Sequence, residues 1–191
     1  MGIKVKYLDI FFKSLHLAGI KPPYDGVAMC ELGNQHMKYD DAMLAGYVRE
    51  KTNFDGLGLP LTGKEFFELL GFRHTSIDIN GKDGTLPLDL CYPIPGNLKG
   101  KFSVVTNFGT TEHIENQVIA FNNIYQLLTK GGIVVHIVPI KDGMLKNHGI
   151  IQYAFDFFEF QKARYGYDYI MPPQERSTVP GCITVSMRKV K

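Results

Sequence analysis

The chain has 191 residues, 45% of them hydrophobic and 21% charged, which is enough apolar material for one globular domain with its own core. Its formal net charge is only +2 and no run of five basic residues occurs, which argues against a nucleic-acid partner because phosphate backbones are bound by clustered lysines and arginines. The three cysteines form no CxxC pair, no cleavable apolar leader follows Met1, and no apolar stretch approaches the roughly 20 residues of a membrane span, so we expect a cytoplasmic protein without a membrane segment.

The spacing of apolar residues predicts helices and strands that alternate along the chain. In chain order we expect a leading helix within residues 1–20 that ends at Gly19, strand 27–32, helices 41–51 and 62–71, strands 73–79 and 102–107, helix 114–128, strand 133–140, helix 150–165, and strands 167–170 and 182–190. Such alternation is typical of an α/β fold with a doubly wound, mostly parallel sheet and helices on both faces. No repeat or linker divides the chain, so residues 1–191 are predicted to form one domain.

Two helix boundaries carry specific signals. Thr62 with Glu65 three residues later has the pattern of a capping box, in which each residue satisfies a backbone N–H of the other. Thr110 or Thr111 is expected to cap the helix 114–128, and Gly131-Gly132 is expected to end it.

Polar residues follow the predicted strands at the carboxyl end, where open α/β sheets bind their ligands. A glycine after the first strand, Gly33, allows a ligand to approach the backbone closely, and Asp78 after the second strand can accept both hydroxyls of a ribose. Asp89 is placed to accept from the exocyclic amine of an adenine, and Glu31 favours a ligand that carries positive charge. Together these residues predict a site for an adenosine with a cationic tail.

In the order and spacing of these residues, from about Pro22 to the C-terminus, the chain resembles the class I S-adenosylmethionine-dependent methyltransferases. The resemblance implies S-adenosylmethionine as cofactor and a seven-stranded sheet whose last strand is antiparallel. It assigns Glu31 and Gly33, with the neighbouring Asn34, to the glycine-rich first motif. Asp78 becomes the ribose acid and Asp89 the adenine acid, with Ile79 and Leu90 beside them, and Asn107 with Phe108 becomes the fourth motif beneath the cofactor. Of the first motif only Gly33 is present, and Gln35 stands where a second glycine is expected. Residues of about 37–60 are predicted to be an insertion over the substrate side.

The resemblance also implies methyl transfer to an oxygen or nitrogen of an acceptor, which we expect to be a small molecule. His113, directly after the strand 102–107, is the first candidate to take a proton from that acceptor, and Glu112 and His148 are the next candidates. His136 is predicted to be a core residue. No metal site is expected, because no HxxxH or HxH spacing occurs among the remaining histidines, which are His16, His36, His74 and His136.

Three alternatives stay open from the sequence. The carboxylates at the strand ends are individually compatible with ordinary helix capping or solvent exposure. The single glycine of the first motif is compatible with a methyltransferase-like binding module that has no turnover. A nicotinamide-dependent oxidoreductase also places an acid after its second strand, although the chain lacks the GxGxxG pattern that binds a pyrophosphate at a helix N-terminus.

Overall fold

The computed structural model describes residues 2–38, 46–47, 50, 62–145 and 148–191. Its elements in chain order are β1 (Gly2–Ile3), α1 (Val5–Leu17), β2 (Ala28–Leu32), β3 (His36–Met37), α2 (Gly63–Leu69), β4 (Arg73–Ile77), β5 (Phe102–Phe108), α3 (Gln117–Leu127), β6 (Leu128–Pro139), α4 (Phe155–Tyr165), β7 (Tyr167–Arg176) and β8 (Val179–Lys189). Two short 3₁₀ turns cover Gly96–Leu98 and Thr111–His113.

The main sheet has the strand order β4-β2-β5-β6-β8-β7. Strands β4, β2, β5 and β6 run parallel, whereas β8 is antiparallel to both β6 and β7. The predicted α/β class, the mostly parallel sheet and the antiparallel last strand are therefore confirmed. A separate pair, β1 and β3, joins residues 2–3 to residues 36–37 in parallel.

The expected seventh strand of the main sheet is absent from the described residues, where six strands are found. Beside β4, the edge position is taken by a segment that makes a single parallel bridge between Ile77 and Leu86. The Leu86 N–H donates to the Ser76 carbonyl and the Leu86 carbonyl accepts from the Asp78 N–H. The next N–H that could face β4 is that of Leu88, and it turns back to the Leu86 carbonyl over 2.9 Å, so the pairing does not continue.

Two hydrophobic clusters cover the two faces of the sheet, because successive strand residues point to opposite sides. On one face Met29 of β2 belongs to the cluster that includes Phe11 of α1 and Phe67 of α2. On the other face the next residue, Cys30, belongs to the cluster that includes Phe121 of α3 and Phe158 of α4. Helices therefore cover both faces, as predicted.

Local signals placed α1 and α2 correctly. Helix α1 lies within residues 1–20, and Gly19 follows it with a φ of 81° that glycine adopts without strain. At the start of α2 the capping box is complete: the Glu65 N–H donates to Thr62 Oγ1 over 3.1 Å, and the Thr62 N–H donates to Glu65 Oε2 over 3.0 Å.

The predicted ends of the helix after β5 are wrong. Helix α3 is capped by Asn116, whose Oδ1 accepts from the Ile119 N–H over 3.2 Å, because Thr111 instead opens a separate 3₁₀ turn. At the other end α3 passes directly into β6 at Leu128, so Gly131-Gly132 lies inside the strand rather than after the helix. An added Cβ at Gly132 would lie 3.0 Å from the Phe102 carbonyl oxygen of the neighbouring strand, which is a steric reason for a glycine there.

The last third of the chain has the predicted elements with shifted bounds. Helix α4 begins at Phe155 instead of residue 150, and strands β7 and β8 form a longer hairpin than predicted. Of the predicted helix 41–51 the structure describes only residues 46–47 and 50, which are helical, and most of the predicted insertion 37–60 lies outside the described residues. None of the helices in the described ranges is long and apolar enough to cross a membrane.

Candidate active site

A cavity of about 590 Å³ opens at the carboxyl ends of β2, β4 and β5. Parallel neighbours bring the residues after these strands to one edge of the sheet, which is where the sequence predicted a ligand. The predicted site residues that line the cavity are Gly33, Asn34, Asp78, Ile79, Asp89, Leu90 and His113. Its other linings include Gln35, Tyr92, Thr110, Ile114 and Glu115, none of which was a predicted site residue.

Asp78 is held in place by the loops on both sides of it. Its Oδ2 accepts from the Asn34 N–H over 2.8 Å, and its Oδ1 accepts from the Asn80 N–H over 2.9 Å. Each carboxylate oxygen keeps a second lone pair that can accept a ligand hydroxyl. The half-buried carboxylate therefore presents two oriented acceptors to the cavity.

Gly33 is the residue at which the loop after β2 meets the loop after β5. Its φ is 87°, and an added Cβ would lie 2.7 Å from Thr110 Oγ1 and 2.8 Å from Gln35 Nε2. The Thr110 hydroxyl in turn donates to the Leu32 carbonyl over 2.6 Å. Gln35, at the position of the expected second glycine, is buried beside this contact and narrows the space above Gly33.

The charged side chains that line the cavity are acidic. Asp78, Asp89 and Glu115 contribute carboxylates, and no lysine or arginine occurs among the described lining residues. Ile79 and Tyr92 add large, exposed apolar surfaces at the same rim. The cavity therefore suits a ligand with an apolar, planar part and a positive charge better than a ligand with phosphates.

The assignment of Glu31 to the cavity is wrong, because its side chain does not line the cavity and is buried against His74 and Gly63, the first residue of α2. Glu31 Oε2 lies 3.1 Å from His74 Nε2, and both side chains are buried. Burial raises the pKa of Glu31 well above its usual value and lowers the pKa of His74 to about 4. Both directions favour uncharged partners, with a protonated carboxyl donating to a neutral imidazole, so Glu31 supplies no negative charge to a ligand.

Asn107 and Phe108 also do not line the cavity. Phe108 is a core residue that packs against the rings of Tyr7 and Phe11. Asn107 is fully buried and hydrogen-bonds to the turn that follows β5: its Oδ1 accepts from the backbone N–H groups of Thr110 and Thr111, and its Nδ2 donates to Thr111 Oγ1. The role of Asn107 is therefore to position the loop that carries His113.

His136 completes this buried network and is confirmed as a core residue. Its Nδ1 lies 3.0 Å from Asn107 Nδ2, so the ring accepts there and carries its own proton on Nε2. The ring also stacks on Phe121 with centroids 5.5 Å apart. Burial lowers the pKa of His136 to about 3.

The buried His136 predicts that the protein loses stability in mild acid. Its folded pKa lies below the unfolded value of about 6.5, so its contribution is present above that pH and is lost as the pH falls toward 3. Between pH 7.5 and 5 we expect His136→Gln, which keeps an acceptor for Asn107, to reduce the loss in free energy of unfolding by about 2 kcal/mol. Urea denaturation at the two pH values measures this. Exposed His16→Gln is the control, and equal pH slopes for wild type and His136→Gln would contradict the prediction.

Glu112, His113 and His148 come together where the loops after β5 and β6 meet. His148 Nε2 lies 3.6 Å and His113 Nε2 lies 4.0 Å from Glu112 Oε1. Of the three, only His113 lines the cavity, whereas Glu112 is fully buried behind it and His148 is partly exposed. Desolvation raises the pKa of Glu112 to about 7 and lowers the pKa of His113, which the neighbouring His148 lowers further.

Comparisons with known proteins support the fold. No protein-family model matches the chain, and neither does any curated protein. Among solved structures, the Burkholderia thailandensis 1,6-didemethyltoxoflavin-N1-methyltransferase with bound 1,6-didemethyltoxoflavin and S-adenosylhomocysteine is similar at a TM-score of 0.55 and 12% identity, over 95% of this chain and 78% of that chain. The trans-methyltransferase CalH, in complex with SAH, matches with a TM-score of 0.55 and 11% sequence identity, over 94% of this chain and 55% of CalH. A Rhodobacter sphaeroides structure named for Zn-dependent alcohol dehydrogenases matches with a TM-score of 0.58 and 11% sequence identity, over 94% of this chain and 90% of that chain.

At these identities the similarity concerns the fold. The chain has the Rossmann-like fold of the class I S-adenosylmethionine-dependent methyltransferases, with the cavity at the strand ends where this class of fold places its ligand site. The chain spans about half the length of CalH, so the activity of that whole protein does not transfer to it.

Proposed function

We propose that this protein is an S-adenosylmethionine-dependent methyltransferase that acts on an oxygen or nitrogen of a small molecule. The observation that carries the proposal is the acid-lined cavity at the ends of β2, β4 and β5, with an oriented carboxylate, Asp78, in the place of the ribose acid. The volume of about 590 Å³ lies within the range of about 300–1,000 Å³ that is usual for cofactor sites.

In the proposed complex the ribose hydroxyls donate to Asp78 and the adenine lies against Ile79 and Leu90. Asp89 is exposed at that rim and can accept from the adenine amine. The sulfonium end lies toward Gly33 and Gln35, with the cavity carboxylates compensating its positive charge. The acidic lining disfavours a nicotinamide dinucleotide, because its pyrophosphate would meet carboxylates and no basic side chain among the described lining residues.

The rate of methyl transfer depends mainly on how the acceptor and the methyl carbon are positioned. A lone pair of the acceptor attacks the methyl carbon, the carbon–sulfur bond breaks, and the bonding electrons stay on the sulfur of S-adenosylhomocysteine. Holding both reactants in line and excluding water supplies most of the acceleration. The acceptor then carries a proton, and His113, whose pKa is lowered so that it is neutral at pH 7, is placed at the cavity wall to take it.

Calorimetric titration of the purified protein with S-adenosylmethionine and with S-adenosylhomocysteine tests the proposal. We expect saturable binding of both at one site, and no binding of reduced nicotinamide dinucleotide. Binding of the nicotinamide cofactor in place of S-adenosylmethionine would support the oxidoreductase alternative, and the absence of all binding by folded protein would overturn the proposal. Cofactor binding without methyl transfer to any acceptor in a small-molecule pool would instead favour the binding module.

A further inference from the structure

Glu112, His113 and His148 belong to two loops that meet beside the cavity. One possible ligand atom of each residue lies within 4.8 Å of the other two. We propose that these three side chains bind a divalent transition-metal ion such as Zn²⁺. Sequence spacing missed this group, because His148 comes from the loop after β6, whereas Glu112 and His113 lie in the 3₁₀ turn after β5.

The Glu112 carboxylate is the main reason for this inference. The side chain is fully buried, yet neither of its oxygens has a hydrogen-bond partner among the described residues. The Nε2 atom of His148 is also buried and without a hydrogen bond. Buried polar groups are nearly always paired, and a buried carboxylate is paired by a hydrogen bond, an opposite charge or a metal ion. A cation between Glu112 and His148 would satisfy both groups at once.

The distances agree with ligands around a common ion. Glu112 Oε1 is 3.6 Å from His148 Nε2 and 4.0 Å from His113 Nε2, both too long for hydrogen bonds. Two ligands on a tetrahedral ion with bonds of about 2.0–2.2 Å are about 3.4 Å apart. The distances from Glu112 Oε1 therefore need to shorten by about 0.2 Å to His148 and about 0.6 Å to His113, and the half-exposed His113 ring is free to make the larger adjustment.

The backbone holds the two loops together without any ion. The Glu112 carbonyl accepts from the Ile150 N–H over 2.8 Å and from the Ile151 N–H over 3.0 Å. Gly149, at a φ of 75°, packs so tightly that an added Cβ would lie 2.8 Å from the same carbonyl oxygen. The chain that carries His148 is thus fixed against the turn that carries Glu112, and little entropy remains to be lost when a ligand binds.

The donor set selects the class of ion. Two imidazole nitrogens and one carboxylate suit Zn²⁺ or Fe²⁺, whereas Mg²⁺ and Ca²⁺ prefer oxygen ligands throughout. Three protein ligands leave coordination positions open, as in catalytic rather than structural zinc sites. His113 is the one of the three residues that lines the cavity, so the ion would lie beside the cavity wall.

This role for the ion rests on the proposed function, although the binding of the ion does not. An acceptor oxygen coordinated to the ion would release its proton to water more readily, since a bound divalent ion lowers the pKa of its ligands. His113 would then be a ligand, and the proton transfer assigned to it would apply to the metal-free protein.

Metal binding is measured on the full chain, stripped with a chelator, by titration with Zn²⁺ and with Mg²⁺. We expect one Zn²⁺ per chain and no Mg²⁺ binding. Glu112→Gln, which keeps the buried shape, and His148→Gln are each expected to weaken Zn²⁺ binding by more than about 100-fold, beyond the loss of about 10- to 100-fold seen when groups outside the ligand shell are removed. His16→Gln and Cys91→Ser, which change an exposed imidazole and the only partly exposed thiol, are the matched controls and are expected to bind as the wild type does.

The inference is overturned if Glu112→Gln or His148→Gln binds Zn²⁺ as tightly as the wild type, or if Cys91→Ser abolishes binding. Thermal melting checks that each variant is folded, and if Glu112→Gln is not, the partly exposed His148→Gln decides. The two proposals fail separately. Binding of S-adenosylmethionine without Zn²⁺ binding would remove only the metal site, and Zn²⁺ binding without S-adenosylmethionine binding would remove only the methyltransferase proposal.

Discussion

Asp78→Asn is expected to weaken binding of S-adenosylmethionine by about 100-fold while leaving the protein folded. The carboxylate can accept two ribose hydroxyls, and hydrogen bonds to a charged group are worth about 1.5–3 kcal/mol each, so loss of the charge and of one acceptor removes about 3 kcal/mol of binding energy. The amide has the same shape and one of its atoms can still accept from the N–H of Asn34 or Asn80, so the loops should stay in place. Calorimetry gives the affinity, and thermal melting the fold.

A matched control for this variant is Asp83→Asn. Asn34, whose backbone N–H donates to Asp78, also donates from its side chain to Asp83 Oδ2 over 2.7 Å. Asp83, however, is exposed and does not line the cavity. Its φ of 53° is also one that asparagine tolerates. Affinity for S-adenosylmethionine should therefore be unchanged in Asp83→Asn. Equal affinities of Asp78→Asn and wild type would show that the ribose is not bound at Asp78.

Asn107→Ala is expected to destabilise the protein by about 3–4 kcal/mol. The truncation leaves two backbone N–H groups, of Thr110 and Thr111, without their acceptor, and it removes the donor to Thr111 Oγ1 and to the buried His136. A buried group left without a partner costs about 1–3 kcal/mol, and the members of one network lose more together than a single pair would.

Urea denaturation followed by circular dichroism measures this loss, since the chain contains no tryptophan. Asn80→Ala serves as the control, because among the described residues the exposed Asn80 side chain accepts only from the Lys82 N–H, and its removal should cost less than about 1 kcal/mol. A loss in Asn107→Ala as small as that of the control would mean that the turn after β5 does not depend on the network.

Features that depend on neighbours within a few residues were predicted well from the sequence. The leading helix with Gly19 behind it and the Thr62–Glu65 capping box both formed as expected, because their hydrogen bonds and backbone angles are local. The short apolar runs of the parallel strands were also clear, since strands that are buried on both faces have few polar residues. Helix α3 was predicted less well, because its cap at Asn116 depends on the turn that Asn107 holds in place.

The candidate site also has a part that the sequence predicted and a part that it did not. The order of strands placed Gly33, Asn34, Asp78 and Asp89 at one edge of the sheet, and that followed from the sequence because parallel strands present their carboxyl ends together. The facing of Glu31 did not follow, since a strand residue lies on one face or the other and its chemistry alone does not say which.

Composition, periodicity and strand-end residues thus determined by themselves the α/β class, the sheet with helices on both faces and the edge at which a ligand would bind. Only the tertiary structure decided the six-stranded sheet, the pairing of Glu31 with His74 and the meeting of Glu112 with His148. The physical reason is that these features arise from contacts between segments far apart in the chain, whose geometry depends on packing at close quarters, such as that of Gly149 against Glu112.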